Sequence, residues 1–464
     1  MTEPAAGTAI RRADARFLLS RPARNAAVAP AAGEEWAEAL RQAGVPVVAE
    51  EEADLLVGDA GARAPTSIVE GPAHAGRRFL ALPSPDRLEL VVPLDDARTL
   101  RYALRTWAVP RSRWKRARNA ALRKALEHGL VPRSLPQLSV VGADDLPYLV
   151  AAAREHGGPA APSWFATFGG GDVLSRGAFH LTPAGASVPS HVLKFSRLPG
   201  YVEPFERDER GLALPAQAGG VAAAHAPRLV ARFDVGDLPA SLETAAIGER
   251  LASVLRSRRG TSAKLAAIDR IAAWTVELAR ETRGPAAGAT PSATDALAHW
   301  GASGAILASV GELPGVLAHG DLWSENVLVD GTAFTAVDWE FARAGAPPLW
   351  DLWFFLSDAL ATLAGADDPD PRVDFLVRLW RGEAAESAVF DRWTRVAAAA
   401  LKIDDAALGP LATLLWLQVG LAHLRQNESW ETLVPGSTAG VPPTARFAEL
   451  WLDDALLGPT WRAR

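Results

Sequence analysis

Asp321, Asn326 and Asp338 stand five and twelve residues apart, in Leu317-Ala-His-Gly-Asp-Leu-Trp-Ser-Glu-Asn-Val-Leu-Val329 and Ala336-Val-Asp-Trp-Glu340. Apolar residues flank all three. Carboxylate, carboxamide and carboxylate in that order suit phosphoryl transfer. One Asp orients an attacking hydroxyl and accepts its proton, while the Asn and the second Asp hold Mg²⁺ on nucleotide phosphates. Hard oxygen donors fit Mg²⁺, which keeps several waters and needs few protein groups. Taken singly, an Asp or Asn between strands is an ordinary turn former; the ordered set is what points to chemistry.

The elements that must position such a set are legible on both sides of it. Upstream, Trp164–Phe168 and Ala178–Pro183 read as strands joined by Gly169-Gly-Gly-Asp-Val-Leu-Ser-Arg-Gly177. Gly169, Gly170 and Gly171 would let backbone amides approach a phosphate without Cβ obstruction, although most glycine-rich hairpins are only turns. Val192-Leu-Lys-Phe195 reads as a third strand. The chain has five lysines, Lys115, Lys124, Lys194, Lys264 and Lys402, so arginine supplies nearly all its positive charge. A lysine in an apolar strand needs its charge compensated, which phosphate oxygens and a carboxylate would do; the plainer reading is an edge lysine with its head in water. Leu229–Phe233 and Ala240–Ala246 read as further strands, and Arg250–Arg283 and Ala293–Gly311 as helices. Beyond Asp351 the apolar spacing predicts helices over Leu352–Leu363, Val373–Arg381, Ala388–Leu401, Ala406–Leu424 and Thr444–Leu457. Trp353, Trp380, Trp393, Trp416, Trp430 and Trp451 recur there and are read as core more than as a stacking pocket.

His319-Gly320-Asp321, four residues, Asn326, and then Val337-Asp338-Trp339-Glu340 resemble the aminoglycoside phosphotransferase and choline kinase family, which carries His-Gly-Asp where protein kinases carry His-Arg-Asp. Gly345-Ala-Pro-Pro-Leu-Trp-Asp351-Leu is similar to that family's Gly-x-Pro-x-x-Asp-Leu element, with one extra residue before the Asp. The resemblance covers residues 163–460. It implies an α+β, bilobal protein-kinase-like fold with an antiparallel β N-lobe and a mainly α-helical C-lobe, here preceded by a small α/β domain. The activity implied is ATP- and Mg²⁺-dependent transfer of the γ-phosphate to a small-molecule hydroxyl, on an aminoglycoside-, choline- or sugar-like acceptor, with GTP as the alternative nucleotide. In that scheme Asp321 aligns the acceptor, Asn326 and Asp338 hold the metal, and Lys194 contacts the phosphates. Glu209 orients the lysine, with Glu206 and Asp208 as rivals. Backbone groups at Glu243 and Ala245 would meet the base. His319 is expected to pack beneath the loop, Asp351 to hold loop amides, and Glu340 to lie near the metal or in a salt bridge. Two rival functions stay open at this level: a catalytically silent, kinase-like nucleotide-binding or scaffold protein, and nucleotidyl transfer from the same site.

Composition bounds the rest. The 464 residues have room for two or three domains, and hydrophobic (49%) and charged (22%) contents are those of a globular protein. A formal charge of −6 gives no general attraction to nucleic acid. The absence of cysteine removes disulfides and thiolate metal sites. Met1–Asp14 has no apolar signal region, and the apolar stretches Leu349–Leu363 and Leu411–Leu424, interrupted by Asp351, Asp358 and Gln418, are short for a bilayer span. A cytoplasmic protein without membrane insertion is expected. Residues 1–130 read as a small α/β domain of unassigned role, with strands at Ala15–Ser20, Val45–Ala49, Asp54–Gly58, Phe79–Pro83 and Leu88–Val92 and helices at Glu34–Ala43 and Asp96–Ala108. Residues 131–162, rich in proline, read as a linker with one helix near Leu146–Glu155, followed by an N-lobe over 163–247 and a C-lobe over 248–464. The basic, tryptophan-bearing stretch 101–124 is read as a solvated or docking helix face rather than an anion site. Asp367, Asp368 and Asp370 are read as a solvated loop more than as an attractor for a cationic acceptor.

Overall fold

Alternating apolar residues between positions 26 and 244 build one sheet in the computed structural model, which describes residues 12–58, 66–71, 76–107, 120–121, 124–126, 130, 132, 135–141, 146–169, 175–288, 291–433 and 441–453. The chain forms two compact units. One comprises Met1–Glu206 and Arg228–Ile247; the other is built from Arg207–Pro227, Gly248–Leu433 and the C-terminal helix. The fold class is α+β.

The first unit holds eleven strands among the described residues: β1 (Ala26–Val28), β2 (Leu55–Val57), β3 (Thr66–Glu70), β4 (Arg77–Ser84), β5 (Arg87–Pro93), β6 (Gln137–Val141), β7 (Ser163–Phe168), β8 (Gly177–Thr182), β9 (His191–Phe195), β10 (Leu229–Val235) and β11 (Leu238–Thr244). Their order across the sheet is β1-β2-β3-β6-β4-β5-β7-β8-β9-β11-β10. β1, β2 and β3 run parallel and the remaining pairs are antiparallel. Helices α1 (Glu34–Gln42), α2 (Ala97–Thr106) and α3 (Tyr148–Glu155) pack on it.

This departs from the expected division between a separate domain at 1–130 and an N-lobe at 163–247. β5 pairs directly with β7, through Leu90↔Thr167 and Val91↔Ala166. The cores are also shared. The ring of Phe17 lies 4.8 Å from that of Phe195 and 6.3 Å from Phe168, and Trp164 packs against both Phe79 and Phe179. The expected linker supplies β6, which fills the gap between β3 and β4. A five-residue segment with three apolar residues, set among prolines, looks like a connector until two partner strands complete its hydrogen bonding.

Two other expectations in this unit change. Ala15–Ser20 is not a strand: Asp14–Leu18 is a fully buried 3₁₀ turn. The cause is tertiary, because Asp14 takes a bidentate ion pair from Arg197, with Nε at 2.9 Å, both side chains being fully buried. In Val45–Ala49 only Val47 bridges to Ala26; Pro46 has no N–H to give and contributes its carbonyl to Ala26 N at 2.9 Å. Of the basic stretch, Arg101–Thr106 lies in α2 and Trp107 packs 4.6 Å from His180, while Trp114 lies outside the described residues.

The second unit begins within α4 (Glu203–Ala218), followed by α5 (Gly220–Ala224), β12 (Glu249–Arg250), α6 (Leu251–Arg256), α7 (Thr261–Glu281), α8 (Pro291–His299) and α9 (Ala305–Gly311). The two long helices expected here are each divided, at Ser257–Gly260 and Trp300–Gly304. Then come β13 (Val316–Ala318), β14 (Val327–Asp330), β15 (Ala333–Ala336), β16 (Arg343–Ala346) and the helices α10 (Trp350–Ala364), α11 (Pro369–Arg381), α12 (Ser387–Leu401), α13 (Asp405–Leu433) and α14 (Pro443–Asp453). Trp353, Trp380, Trp416 and Trp451 meet edge to face inside these helices, with ring centroids 5.1–5.7 Å apart at Trp380, so they are core. The Trp430 side chain lies outside the described residues. Asp367 is paired with Arg256 at 2.8 Å and Asp370 with Arg446, so these acids are partly neutralised rather than a bare attractor.

The expectation that no apolar stretch reaches membrane-spanning length is corrected by α13. Its Asp405–Glu428 segment passes that test by length and composition, yet 61% of its apolar window is buried inside the protein. Trp300 donates to the Leu417 carbonyl and Gln418 to Ser292 Oγ, which are the contacts of a core helix.

Candidate active site

A hairpin closes the twelve-residue interval between Asn326 and Asp338. β14 and β15 pair antiparallel from Val327↔Ala336 to Asp330↔Ala333. One step beyond, Val337 N–H donates to the Asn326 carbonyl at 2.8 Å, which sets Asp338 beside the end of the loop that carries Asp321. Asp338 itself sits at φ 70°, ψ 56°, a left-handed conformation that costs free energy for a residue with a Cβ and is found where function holds it. Within the loop, Asn326 Nδ2 donates to Asp321 Oδ2 at 2.9 Å and to the Asp321 carbonyl at 3.0 Å. With both N–H groups of the amide directed at Asp321, its oxygen is the atom left to face a cation.

The loop is held from below by one helix. α10 places Asp351 and Asp358 two turns apart on one face. Asp351 accepts from the backbone N–H of His319 at 2.6 Å and of Gly320 at 3.0 Å. Asp358 accepts from the N–H of Ser324 at 2.7 Å and pairs with Arg372. His319 is fully buried. Its Nδ1 accepts from Asp321 N–H at 3.3 Å, which assigns the proton to Nε2, the atom 2.9 Å from the Val337 carbonyl. The imidazole thus ties the Asp321 loop to the Asp338 strand. Gly320 has φ +83°, and a Cβ there would overlap the Phe341 carbonyl oxygen, so a side chain is excluded by both conformation and space.

Within the second unit α4 packs against the turn that follows Asp338. A Cβ on Gly211 would overlap the Trp339 carbonyl oxygen, so the approach is backbone to backbone. Arg207 lies 3.3 Å from Glu340 Oε2 and over the Phe341 ring, which makes Glu340 a salt-bridged residue. Glu209 is on the same helix.

Asp321 is pushed up to about 8, chiefly by burial and then by the negative charges of Asp338 and Glu340, against the hydrogen bond from Asn326. A half-buried carboxylate destabilised by its acidic neighbours marks a site over-supplied with negative charge, and a divalent cation would relieve it. The donor set fits Mg²⁺: an amide oxygen at Asn326 and a carboxylate at Asp338 are hard, few, and leave positions for water and phosphate. No group of three or more His, Asp or Glu that could hold a metal occurs among the described residues, so a metal here would depend on those further oxygens. Asp351 is also raised, by burial first, with His319, the two backbone N–H groups and Arg343 opposing the shift.

The other expected residues lie in the first unit. Lys194 is mid-strand in β9, opposite Ser241 of β11 and Ala178 of β8. Its Nζ is 2.9 Å from Glu243 Oε1. Glu243, expected to contribute only backbone, therefore engages through its side chain. Ala245 N–H donates to the Ser190 carbonyl at 2.9 Å. Gly169 ends β7, where a Cβ would overlap that of Ser175; Gly170 and Gly171 lie outside the described residues. Sequence reasoning missed the side-chain contact of Glu243, the close approach at Gly211 and the anchoring role of Asp358. For Asp358 a signal existed: a second Asp seven residues after Asp351, on one face of an otherwise apolar helix.

Residues 180–386 match the model of the phosphotransferase enzyme family. No curated protein matches the chain. Among solved structures, aminoglycoside phosphotransferase APH(3'')-Id from Streptomyces rimosus, in complex with ADP and streptomycin, is 16% identical over 58% of this chain and 96% of that one, with a TM-score of 0.36. Amicoumacin kinase hAmiN, in complex with AMP-PNP, Ca²⁺ and Ami, is 14% identical over 63% and 90%, with a TM-score of 0.41. A glucosamine kinase in complex with glucosamine, ADP and inorganic phosphate is 16% identical over 66% and 85%, with a TM-score of 0.36.

Proposed function

Residues 180–386 belong to the phosphotransferase enzyme family, and from that premise we propose that the protein is an ATP- and Mg²⁺-dependent kinase of a small-molecule hydroxyl, working in the cytoplasm. The observation that carries this reading is Asp321, half-buried, held by the Asn326 amide and pressed by the charge of Asp338. The acceptor class, aminoglycoside-, choline- or sugar-like, follows from the family and is part of the proposal.

The roles follow from the groups. Asp321 Oδ aligns the acceptor hydroxyl and takes its proton as the oxygen attacks the γ-phosphorus and the bond to the β-phosphate oxygen breaks. Asn326 Oδ1 and the Asp338 carboxylate are the groups that would hold Mg²⁺, which when bound neutralises charge on the phosphates. Asp351, Asp358 and His319 keep the loop in one geometry, so that reorganisation is not needed at the moment of reaction. Lys194 contacts nucleotide phosphate. Most of the rate enhancement then comes from positioning and charge neutralisation, with no covalent enzyme intermediate.

The test is Asp338→Ala assayed for Mg²⁺-ATP turnover against a panel of amino-sugars, sugars and amino-alcohols, with folding followed by circular dichroism. The parent is expected to transfer the γ-phosphate of ATP and the variant to stay folded and inactive. Undiminished transfer in the variant would sink the assignment, as would a parent that transfers the α-phosphate.

A further inference from the structure

Lys194 is compensated from within its own sheet. β9 and β11 are antiparallel neighbours with Lys194 opposite Ser241 and Val192 opposite Glu243. Ser241 and Glu243 are two apart on β11 and share a face, so Glu243 is the diagonal neighbour of Lys194. The small Ser241 side chain leaves room for the lysine stem to cross to it. The two side chains meet at 2.9 Å, with relative exposures of 15% and 4%.

Such a pair is not what a sheet needs for stability. Desolvating both charges offsets most of their attraction, and an apolar pair of similar size would serve the fold as well or better. On the face that carries the pair, the residues directly opposite Lys194 are Ala178 of β8 and Ser241 of β11, both small and neither charged. A buried ion pair retained there is explained when one partner's head group has to be held in a fixed place for a ligand.

We propose that Glu243 is a positioning residue for Lys194: its carboxylate, on the adjacent strand, fixes the ammonium where nucleotide phosphate is bound. This rests on the phosphotransferase reading of Lys194. It adds a strand carboxylate to the task expected of the helix carboxylate Glu209, and gives the Glu243 side chain a role separate from any backbone contact with the base.

The experiment measures equilibrium binding of Mg²⁺-ATP and of adenosine to the parent, Glu243→Gln, Lys194→Ala, the double variant and Glu209→Gln. Gln keeps the shape and removes the charge. Glu243→Gln should weaken Mg²⁺-ATP binding by about tenfold or more, the range for losing a hydrogen-bonding partner of a charged group, and leave adenosine binding unchanged. In the Lys194→Ala background the same substitution should have no further effect, because Glu243 acts through the lysine. Equal losses for ATP and adenosine, additive losses in the double variant, or an effect confined to Glu209→Gln would each overturn the proposal. A parent that binds adenosine but gains nothing from the phosphates would overturn the phosphotransferase reading itself, a result seen before any variant is compared.

Discussion

At the scale of single residues, Asp321 sets function against stability. Its carboxyl is raised from 3.8 to about 8 in the folded chain by burial and by Asp338 and Glu340. A group whose acidity is weakened on folding binds its proton more tightly in the native state, so the native state loses stability as pH rises from the ordinary carboxylate range to about 8. Metal-free Asp321→Asn should therefore melt higher than the metal-free parent, with a difference that grows between pH 5 and pH 8 and then levels off. A constant difference across that window, read by thermal denaturation, would show that Asp321 is not the raised group. The same variant should lose about a hundred- to ten-thousand-fold in turnover, the usual contribution of a general base.

The element that matters most is α10, because it reads the loop at two points. Asp351 takes two backbone N–H groups and Asp358 takes a third. Neither touches Asp321, so their effect should be on geometry. Asp351→Asn and Asp358→Asn are each expected to lower kcat by up to about a hundredfold, the scale of a roughly 1 Å misplacement, with little change in nucleotide KM; a change confined to KM would mean that the loop geometry is set elsewhere. α4 carries a second prediction. Gly211→Ala puts a methyl group onto the Trp339 carbonyl, which a packed backbone contact can relieve only by moving the helix off the Asp338 turn. The expected cost is about 1–3 kcal/mol, measured by denaturant unfolding, together with lower activity. An unchanged midpoint would show that the helix does not press on the turn.

At the scale of the whole molecule, the residues ahead of the family match are part of the same sheet as Lys194. Asp14 is buried in an ion pair with Arg197, three positions past Lys194, and Phe17 lies against Phe195. Removing one member of a buried pair leaves the other charge stranded. Asp14→Ala should thus cost about 3–5 kcal/mol, and the loss should appear in the unfolding of the strands around Lys194, followed by hydrogen exchange of β8, β9 and β11. Exchange confined to residues 12–58 in that variant would instead describe an independent N-terminal domain. A chain starting at Ser163 should expose the β7 edge and the apolar face now covered by Trp36, Phe79 and Val91 and be recovered as an aggregate; a soluble, monomeric fragment with native far-ultraviolet ellipticity would count against a shared core.

The arrangement of the candidate site was legible in the sequence because it is local. Asp321, Asn326 and Asp338 lie in one short stretch, and a hairpin is enough to bring them together, so their spacing already predicts that they share one site. Asp351 and His319 were legible for the same reason, as was the scarcity that singled out Lys194. The strands β2, β4, β5, β7, β8, β9, β10 and β11 and the helices after Asp351 were also readable from their periodicity. What only tertiary structure decided is long-range. Whether Asp14–Leu18 is a strand depends on Arg197, and whether Gln137–Val141 is a connector depends on β3 and β4. Whether the first 130 residues stand apart depends on β5 finding β7. Glu243 as a partner of Lys194 required the register of β9 against β11. Periodicity specifies which face of a segment is buried, but not which distant segment buries it. Charges, above all, find their partners only when the sheet has closed.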